Sequence, residues 1–432
     1  MKIILKNINL LNPDQGINEK GTDLLITDGM ISRIGNIPDA ETGDARVYDF
    51  TGKYVVPGLF DMHVHLREPG REDEETVRTG CDSAANGGFT GIACMPNTEP
   101  AIDSAEVVTL IKEKALNHLV DVHPIGAATV GRKGEIISPM AELVEAGAAG
   151  FSDDGVAIKT SAMLRRALEY SAMYNVPVIE HCEDESLTGG AMNEGINSTT
   201  LGLPPVPSVS EDIIVSRDIL MAEYTGGRIH IAHISTRKSV EMVRDAKKRG
   251  IKVTAEVTPH HFSLTDDAVK TYDTNVKMSP PLRTQADVDA VHKGLKDGTI
   301  DCIASDHAPH SPEEKEAEFE FAPNGILGLE TEVGLALSEL HAKKILTLEQ
   351  LVEKLSINPR KILNIPVPRF EEGAEANLTI LDTDAVWTVN ISKFKSKSHN
   401  SPFDKRLMTG KAVGVINNRK MFLSDSGTFL NI

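Results

Sequence analysis

The pattern of apolar and polar positions divides the 432-residue chain into three parts. Residues 1–54 and 366–432 contain short apolar runs broken by turns such as Asn417-Asn418, with no helical period of useful length. Between them, residues 55–365 alternate apolar runs with amphipathic stretches of helical length, which is typical of repeated βα units. The pattern predicts a small β domain, formed from both ends of the chain, beside a larger α/β domain.

Eight apolar runs in the central part have the length of buried strands. They span residues 55–60, 91–95, 120–126, 148–151, 177–180, 228–232, 252–257 and 301–304. Stretches of helical length separate them. Eight strands with intervening helices predict an α/β fold of the (β/α)8, or TIM barrel, type.

Histidine and aspartate residues directly follow five of these strands. In chain order they are His63 and His65, the pair Asp153-Asp154, His181, His233 and Asp306. Active sites of such barrels are built at the C-terminal ends of the strands, so we expect these side chains to meet on one rim. Residues i and i+2 of a strand point to the same side, and His63 and His65 can therefore bind one metal ion together.

This set of side chains fits a pair of zinc ions. Imidazole nitrogen and carboxylate oxygen are ordinary zinc ligands, and catalytic sites leave a position open for water. One carboxylate can bridge two ions, and a hydroxide held between them is a strong nucleophile near neutral pH. The prediction is a site with two zinc ions per subunit, bridged by an aspartate and a hydroxide.

Each motif alone has a simpler interpretation. A single His181 or His233 is usually a hydrogen-bonded core or surface residue, the sequence DDG at 153–155 forms a good turn, and Asp306 could cap the next helix. The metal site is favoured because all these positions fall at strand ends predicted independently from hydrophobicity. The choice between Asp153 and Asp154 stays open at this point.

The formal net charge of −18 argues against nucleic acid or an anionic membrane surface as a partner. The chain has no apolar run of 18 residues or more, and its 4 cysteines have no CxxC spacing. These features predict a cytoplasmic protein with a small-molecule ligand. Because the overall field is negative, an anionic substrate requires a local cation.

Arg67 is the candidate for that cation. It follows His65 by two residues, where its planar guanidinium can bind a carboxylate through two hydrogen bonds. The alternative is a surface ion pair with Glu68 or Glu72.

Several strings resemble those of the dihydroorotase family in the amidohydrolase superfamily. The sequence HVHLREPG at 63–70 resembles one signature of that family and DHAPH at 306–310 resembles the other. The strings MPNT at 95–98, PPLR at 280–283 and GILGLE at 325–330 are also similar to strings of the family.

The resemblance implies a zinc-dependent cyclic amidohydrolase that interconverts N-carbamoyl-L-aspartate and L-dihydroorotate in de novo UMP biosynthesis. It implies that one zinc is bound by His63, His65 and Asp306, the other by His181 and His233, and that Asp154, in preference to Asp153, bridges them. Asp306 would also transfer the proton. The implied substrate-binding residues are Arg67, Asn97, His310, Ser279, Asn324 and Gly325. A homodimer or an association with aspartate transcarbamoylase is a further expectation.

Two positions depart from common patterns of these families. Many superfamily members bridge their metals with a carboxylated lysine after the fourth strand, but here the nearest lysine is Lys159, beyond the turn; this resembles bacterial dihydroorotases that use aspartate. Ser279 stands where dihydroorotases usually have asparagine and hydantoinases tend to have serine. The alternatives are therefore a hydantoinase or allantoinase, or a non-catalytic barrel that supports aspartate transcarbamoylase. Arg67, Asn97 and His310 favour a substrate that carries a carboxylate.

Overall fold

A computed structural model describes residues 1–432, leaving aside the side chains of residues 39 and 40. The strands are β1 (Lys2–Asn12), β2 (Ile17–Thr27), β3 (Met30–Ile34), β4 (Arg46–Asp49), β5 (Tyr54–Pro57), β6 (Leu59–Val64), β7 (Phe89–Cys94), β8 (Asp121–Pro124), β9 (Gly126–Ala127), β10 (Phe151–Ser152), β11 (Val178–Glu180), β12 (Met192–Asn193), β13 (Pro205–Val206), β14 (Ile229–Ile231), β15 (Val253–Val257), β16 (Cys302–Ile303), β17 (Leu378–Thr388), β18 (Leu407–Asn417), β19 (Lys420–Leu423) and β20 (Thr428–Asn431).

The helices are α1 (Asp39–Thr42), α2 (Val77–Gly87), α3 (Ala105–Ala115), α4 (Met140–Ala146), α5 (Ser161–Ala172), α6 (Ile196–Leu201), α7 (Val209–Thr225), α8 (Arg237–Lys248), α9 (Pro259–Ser263), α10 (Gln285–Asp297), α11 (Pro312–Lys315), α12 (Glu332–Leu335), α13 (Leu348–Val352) and α14 (Asn358–Ile362). Within the described residues, no helix combines the length and apolar character needed to cross a membrane.

The two ends of the chain form one sheet. Its order is β20-β19-β18-β17-β5-β1-β2-β3, with β4 paired to β1. The ends meet where β17 pairs antiparallel with β5 and Leu378 lies opposite Pro57. Apolar side chains of this sheet, among them Ile3, Leu5 and Ile416, pack into a core of their own. The predicted β domain built from both termini is confirmed.

The central strands form the predicted barrel. Strands β6, β7 and β8 make one parallel sheet, and β9, β10, β11, β14, β15 and β16 make another. The chain joins the two sheets itself, because β8 and β9 are parts of one third strand interrupted at Ile125. A parallel bridge between Val64 and His307 joins the first strand to the end of the eighth. The α/β fold class and the TIM barrel are therefore confirmed.

The predicted strand 55–60 is two strands in the structure. Strand β5 pairs with β1 and β17 in the terminal sheet, whereas β6 pairs with β7 in the barrel. Gly58 lies between them, and an added Cβ there would stand 2.0 Å from Asn377 Oδ1 and 2.1 Å from Thr90 Oγ1. An apolar run reports burial but not the sheet in which it is buried. We propose Gly58 as the domain boundary, instead of the predicted division between 54 and 55.

An irregularity in β6 turns His63, and His65 just beyond the strand, toward the mouth of the barrel. Met62 lies in the inner core of the barrel, so regular alternation would direct His63 outward. The register with β7 shifts between Asp61 and Val64, and such a bulge re-aims the side chains that follow it. The buried carboxylate of Asp61 fixes this arrangement, accepting hydrogen bonds from the backbone N–H groups of His63 at 3.0 Å and Ser305 at 3.2 Å.

Candidate metal centre

Six side chains from five strand ends meet at the C-terminal mouth of the barrel. They are His63 in β6 with His65 just beyond it, Asp154 after β10, His181 after β11, His233 after β14 and Asp306 after β16. Their nitrogen and oxygen atoms form three overlapping groups, and within each group all ligand atoms lie within 4.8 Å of one another. All six side chains are buried. The structure thus brings together every predicted metal ligand.

Asp154 lies between the histidines of this cluster. Its Oδ1 is 3.4 Å from His63 Nε2 and 3.8 Å from both His181 Nδ1 and His233 Nε2. Its Oδ2 is 3.6 Å from His65 Nε2. The two oxygens therefore face different histidines, which is the arrangement of a carboxylate that can bridge two ions.

The unpaired atoms of the cluster fit a metal ion. His63 Nε2 and Asp154 Oδ1, which lie 3.4 Å apart, are buried and have no hydrogen-bond partner among the described residues. Such orphaned polar atoms are rare in folded proteins because each has lost its water without gaining a partner. Imidazole and carboxylate are also the donors that divalent transition metals prefer. The donor set therefore marks a metal site.

Asp153 has a different environment from its neighbour. Its two oxygens accept hydrogen bonds from the backbone N–H of Thr129 at 2.9 Å and from Thr129 Oγ1 at 2.6 Å. This carboxylate secures the preceding strand end and is not part of the cluster. Lys159, the nearest candidate for a carboxylated lysine, is exposed. The geometry therefore favours Asp154 as the bridging residue.

Glu256 is a site residue that the sequence interpretation missed. Its buried carboxylate in β15 lies 2.5 Å from His63 Nδ1 and 3.1 Å from His230 Nε2. Burial opposes its ionisation, but His63 and His230 lower the pKa of Glu256 to about 2. The carboxylate fixes the His63 ring so that Nε2 faces the cluster, a role that is common behind metal ligands. The available signal was a glutamate inside a mostly apolar strand.

Asp306 is placed to accept a proton. Its Oδ1 is 2.9 Å from His65 Nε2 and 3.6 Å from His63 Nε2. Burial disfavours its charged form, but His63 and His65 outweigh burial and hold the pKa of Asp306 below its ordinary value. The carboxylate is therefore ionised at neutral pH.

Arg67 lies beside the cluster with its terminal nitrogens free. Its Nε donates to the carbonyl of Pro309 at 3.1 Å and is 3.3 Å from Glu74 Oε2. Neither terminal nitrogen forms a hydrogen bond within the described part of the chain. The alternative ion pair with Glu68 does not form, because Glu68 pairs with Lys114. Arg67 can therefore offer its planar fork to an anion.

Two predicted substrate-binding residues lie behind histidines of the cluster, one in direct contact and one through a glutamate. Asn97 Oδ1 is 2.7 Å from His65 Nδ1, so it orients that ring. Ser279 Oγ donates to the Glu183 carboxylate, which also lies 3.1 Å from His181 Nε2. Asn97 therefore supports the metal cluster directly, and Ser279 supports it through Glu183. The sequence did not predict either contact.

His310 has both ring nitrogens engaged. Nδ1 is 3.0 Å from Glu74 Oε1, and Nε2 is 2.8 Å from the carbonyl oxygen of Asn324. Gly325 packs directly on this ring, since an added Cβ would stand 2.5 Å from His310 Cδ2. The structure brings His310, Asn324 and Gly325 together as expected, but a bond from His310 to substrate requires one of its present bonds to open.

Comparison with known proteins agrees with this architecture. Residues 52–239 match the family described as Dihydro-orotase-like. A dihydroorotase from Pelotomaculum thermopropionicum is 50% identical over 427 residues, covering 98% of this chain and 99% of the relative. A dihydroorotase from Syntrophus aciditrophicus is 48% identical over 415 residues, covering 96% of this chain and 97% of the relative.

Among solved structures, an L-hydantoinase from Arthrobacter aurescens superimposes with a TM-score of 0.84 at 27% identity, covering 96% of this chain and 94% of that chain. A dihydropyrimidinase from Brevibacillus agri, 22% identical with a TM-score of 0.83, covers 96% of this chain and 94% of its own and shares the fold. The family follows from the sequence identity of about half over nearly the full length of these relatives, and the structural likeness agrees with it. The chain belongs to the dihydroorotase family.

Proposed function

We propose that this chain is a dihydroorotase, which reversibly converts N-carbamoyl-L-aspartate to L-dihydroorotate in the de novo synthesis of UMP. The observation that carries this assignment is the free guanidinium fork of Arg67 beside the buried cluster of histidines and aspartates. Dihydroorotate carries a carboxylate beside its cyclic amide, and a planar guanidinium is the side chain best suited to bind a carboxylate through two parallel bonds.

Two zinc ions are the proposed cofactor. His63, His65 and Asp306 would hold one ion, His181 and His233 the other, and Asp154 would bridge them, in agreement with the interatomic distances. Zinc in such a site polarises an amide carbonyl and lowers the pKa of a water molecule. Glu256 and Asn97 hold the His63 and His65 rings in the orientations that binding requires.

Asp306 is the proposed general base and acid. In the hydrolytic direction it accepts a proton from the attacking water and returns it to the ring nitrogen as the amide C–N bond breaks. In ring closure it accepts the proton of the attacking carbamoyl nitrogen and delivers it to the departing oxygen. Its ionised state supports the first of these steps.

Ser279 is the observation that favours a hydantoinase, the second candidate. Its contact with Glu183, however, places it behind His181, so Ser279 does not by itself select a neutral ring. Arg67 distinguishes dihydroorotase from hydantoinase, because a simple hydantoin has no carboxylate for the guanidinium of Arg67 to bind.

The test is turnover of dihydroorotate, hydantoin and allantoin by zinc-reconstituted protein in carbon-dioxide-depleted buffer. We expect efficient turnover of dihydroorotate but not of hydantoin or allantoin. We also expect this turnover to need no added bicarbonate. Comparable turnover of hydantoin would favour the second candidate. A need for bicarbonate would contradict the aspartate bridge.

A further inference from the structure

A segment of the terminal β domain reaches the active-site loops of the barrel. Residues 396–400 lie in the connection between β17 and β18, and Ser396, Ser398 and Asn400 are buried there. Ser398 Oγ donates to the carbonyl oxygen of Glu74 at 2.8 Å, and Ser396 Oγ donates to the Glu75 carboxylate. We call residues 396–400 the strap.

Asn400, the last residue of the strap, joins two loops of the barrel. Its Nδ2 donates to the carbonyl oxygens of Ala308 at 2.9 Å and Gly325 at 3.1 Å. Its Oδ1 accepts from the backbone N–H of His310 at 3.1 Å, and its own carbonyl accepts from Leu327 N–H at 3.0 Å. The side chain is 4% exposed, so water cannot readily replace these bonds.

The loops joined by Asn400 form the side of the site that faces Arg67. The carbonyl of Pro309 accepts from Arg67 Nε, and Glu74 contacts both Arg67 and His310. The strap therefore touches this side twice, through Asn400 and through Ser398. The ligand His63 has supports of its own within the barrel strands, since Glu256 contacts its ring and Asp61 accepts from its backbone N–H.

We propose that Asn400 is a positioning residue, contributed by the terminal β domain, that fixes the loops binding the substrate carboxylate. It acts through backbone carbonyls and N–H groups and touches neither the metal cluster nor the reacting atoms. The inference rests on the proposed function, because the carboxylate belongs to dihydroorotate. Loss of the amide should weaken substrate binding while the metal centre stays intact.

The experiment compares Asn400→Ala with Asn417→Ala. Asn417 is a matched control: it is 3% exposed, belongs to β18 and donates to the barrel carbonyls of Thr90 at 3.3 Å and Leu119 at 2.9 Å, at the opposite end of the barrel. Both variants should lose a similar amount of thermal stability. Only Asn400→Ala should raise KM for dihydroorotate, by about tenfold or more, because the displaced loops would lose a hydrogen bond to the charged substrate carboxylate.

Zinc content and kcat are measured on the same samples. The role of Asn400 as a positioning residue is supported if the variant has a raised KM but keeps its zinc and a near wild-type kcat. Equal KM values for the two variants, or a loss of zinc in Asn400→Ala, would overturn it. If Asn400→Ala does not fold, Asn400→Asp replaces it in the test. The ionised aspartate keeps the oxygen that faces the N–H of His310 but cannot donate to the carbonyls of Ala308 and Gly325. An unchanged KM in this variant refutes the inference. A wild-type chain inactive on dihydroorotate refutes the proposed function instead.

Discussion

At the scale of single residues, the direction of a side chain decides whether it takes part in the chemistry. Asp153 and Asp154 are adjacent, identical in type and both 2% exposed. Asp153 is bound by Thr129, whereas Asp154 faces four histidines. Residue type and burial do not distinguish them, because the difference lies in the turn that follows β10.

Asp154→Ala should remove both bound metal and activity, because its carboxylate, the proposed bridge, faces the histidines of both halves of the cluster. Asp153→Ala should keep its metal and lose stability by about 1–3 kcal/mol, since it leaves a buried Thr129 hydroxyl without its partner. Metal analysis, turnover and thermal melting of the two purified variants check this. The opposite ranking would show that Asp153 is the bridge.

Arg67→Lys should reduce kcat/KM on dihydroorotate by roughly ten- to a hundredfold while zinc content stays constant. Lysine keeps the charge but loses the planar fork, so the loss reports two-point binding of a carboxylate. Arg71→Lys is the control for this loop, because Arg71 is 43% exposed and its guanidinium is already engaged by Asp73, Glu74 and Glu314. Similar losses in both variants would point to a general disturbance of this loop.

At the scale of elements, the ends of the barrel strands leave the extended conformation to aim their side chains. Arg67, His233 and Asp306 have φ angles of 61°, 31° and 46°. Residues other than glycine seldom adopt positive φ, and such strained positions cluster at functional sites. Here the change of backbone direction turns each side chain from the strand into the mouth of the barrel.

Gly325→Ala should impair substrate binding more than metal binding. The new Cβ would stand 2.5 Å from His310 Cδ2 and 2.8 Å from the backbone oxygen of Ala308, so a rigid loop must move. We expect a raised KM for dihydroorotate with unchanged zinc content. Gly189→Ala is the control, because an added Cβ there meets nothing within 4 Å. A KM equal to that of the control would show that the loop yields without cost to binding.

At the scale of the whole molecule, the metal cluster connects strands that are far apart in sequence. Its members follow the first, fourth, fifth, sixth and eighth barrel strands. The bridged pair of ions proposed for this cluster would therefore link most of the barrel circumference, while Glu256 of the seventh strand supports His63 from behind. Binding of metal to the folded state alone must raise the stability of the entire domain.

Removal of metal by a chelator should lower Tm, and zinc should restore it. At a free zinc concentration one hundred times the Kd, the folded state gains about 2.7 kcal/mol. Scanning calorimetry of the chelated and reloaded protein measures the shift. Asp154→Ala is the control and should show no response to zinc. A Tm independent of zinc in the wild-type chain would contradict a metal site in this cluster.

The sequence by itself determined the barrel, the paired terminal segments and the six histidine and aspartate positions that meet at one rim. These features follow from local periodicity and from the rule that parallel strands place their C-terminal ends together. Only the tertiary structure decided which sheets the strands on either side of Gly58 join, which partners Asp153 and Asp154 face, that Glu256 contacts His63, and that both ring nitrogens of His310 are occupied. Each depends on which distant groups face one another across the fold, as Asn400 faces Ala308 and Gly325. Such contacts produce no periodic pattern in the sequence, because their two partners lie from tens to hundreds of positions apart in the chain.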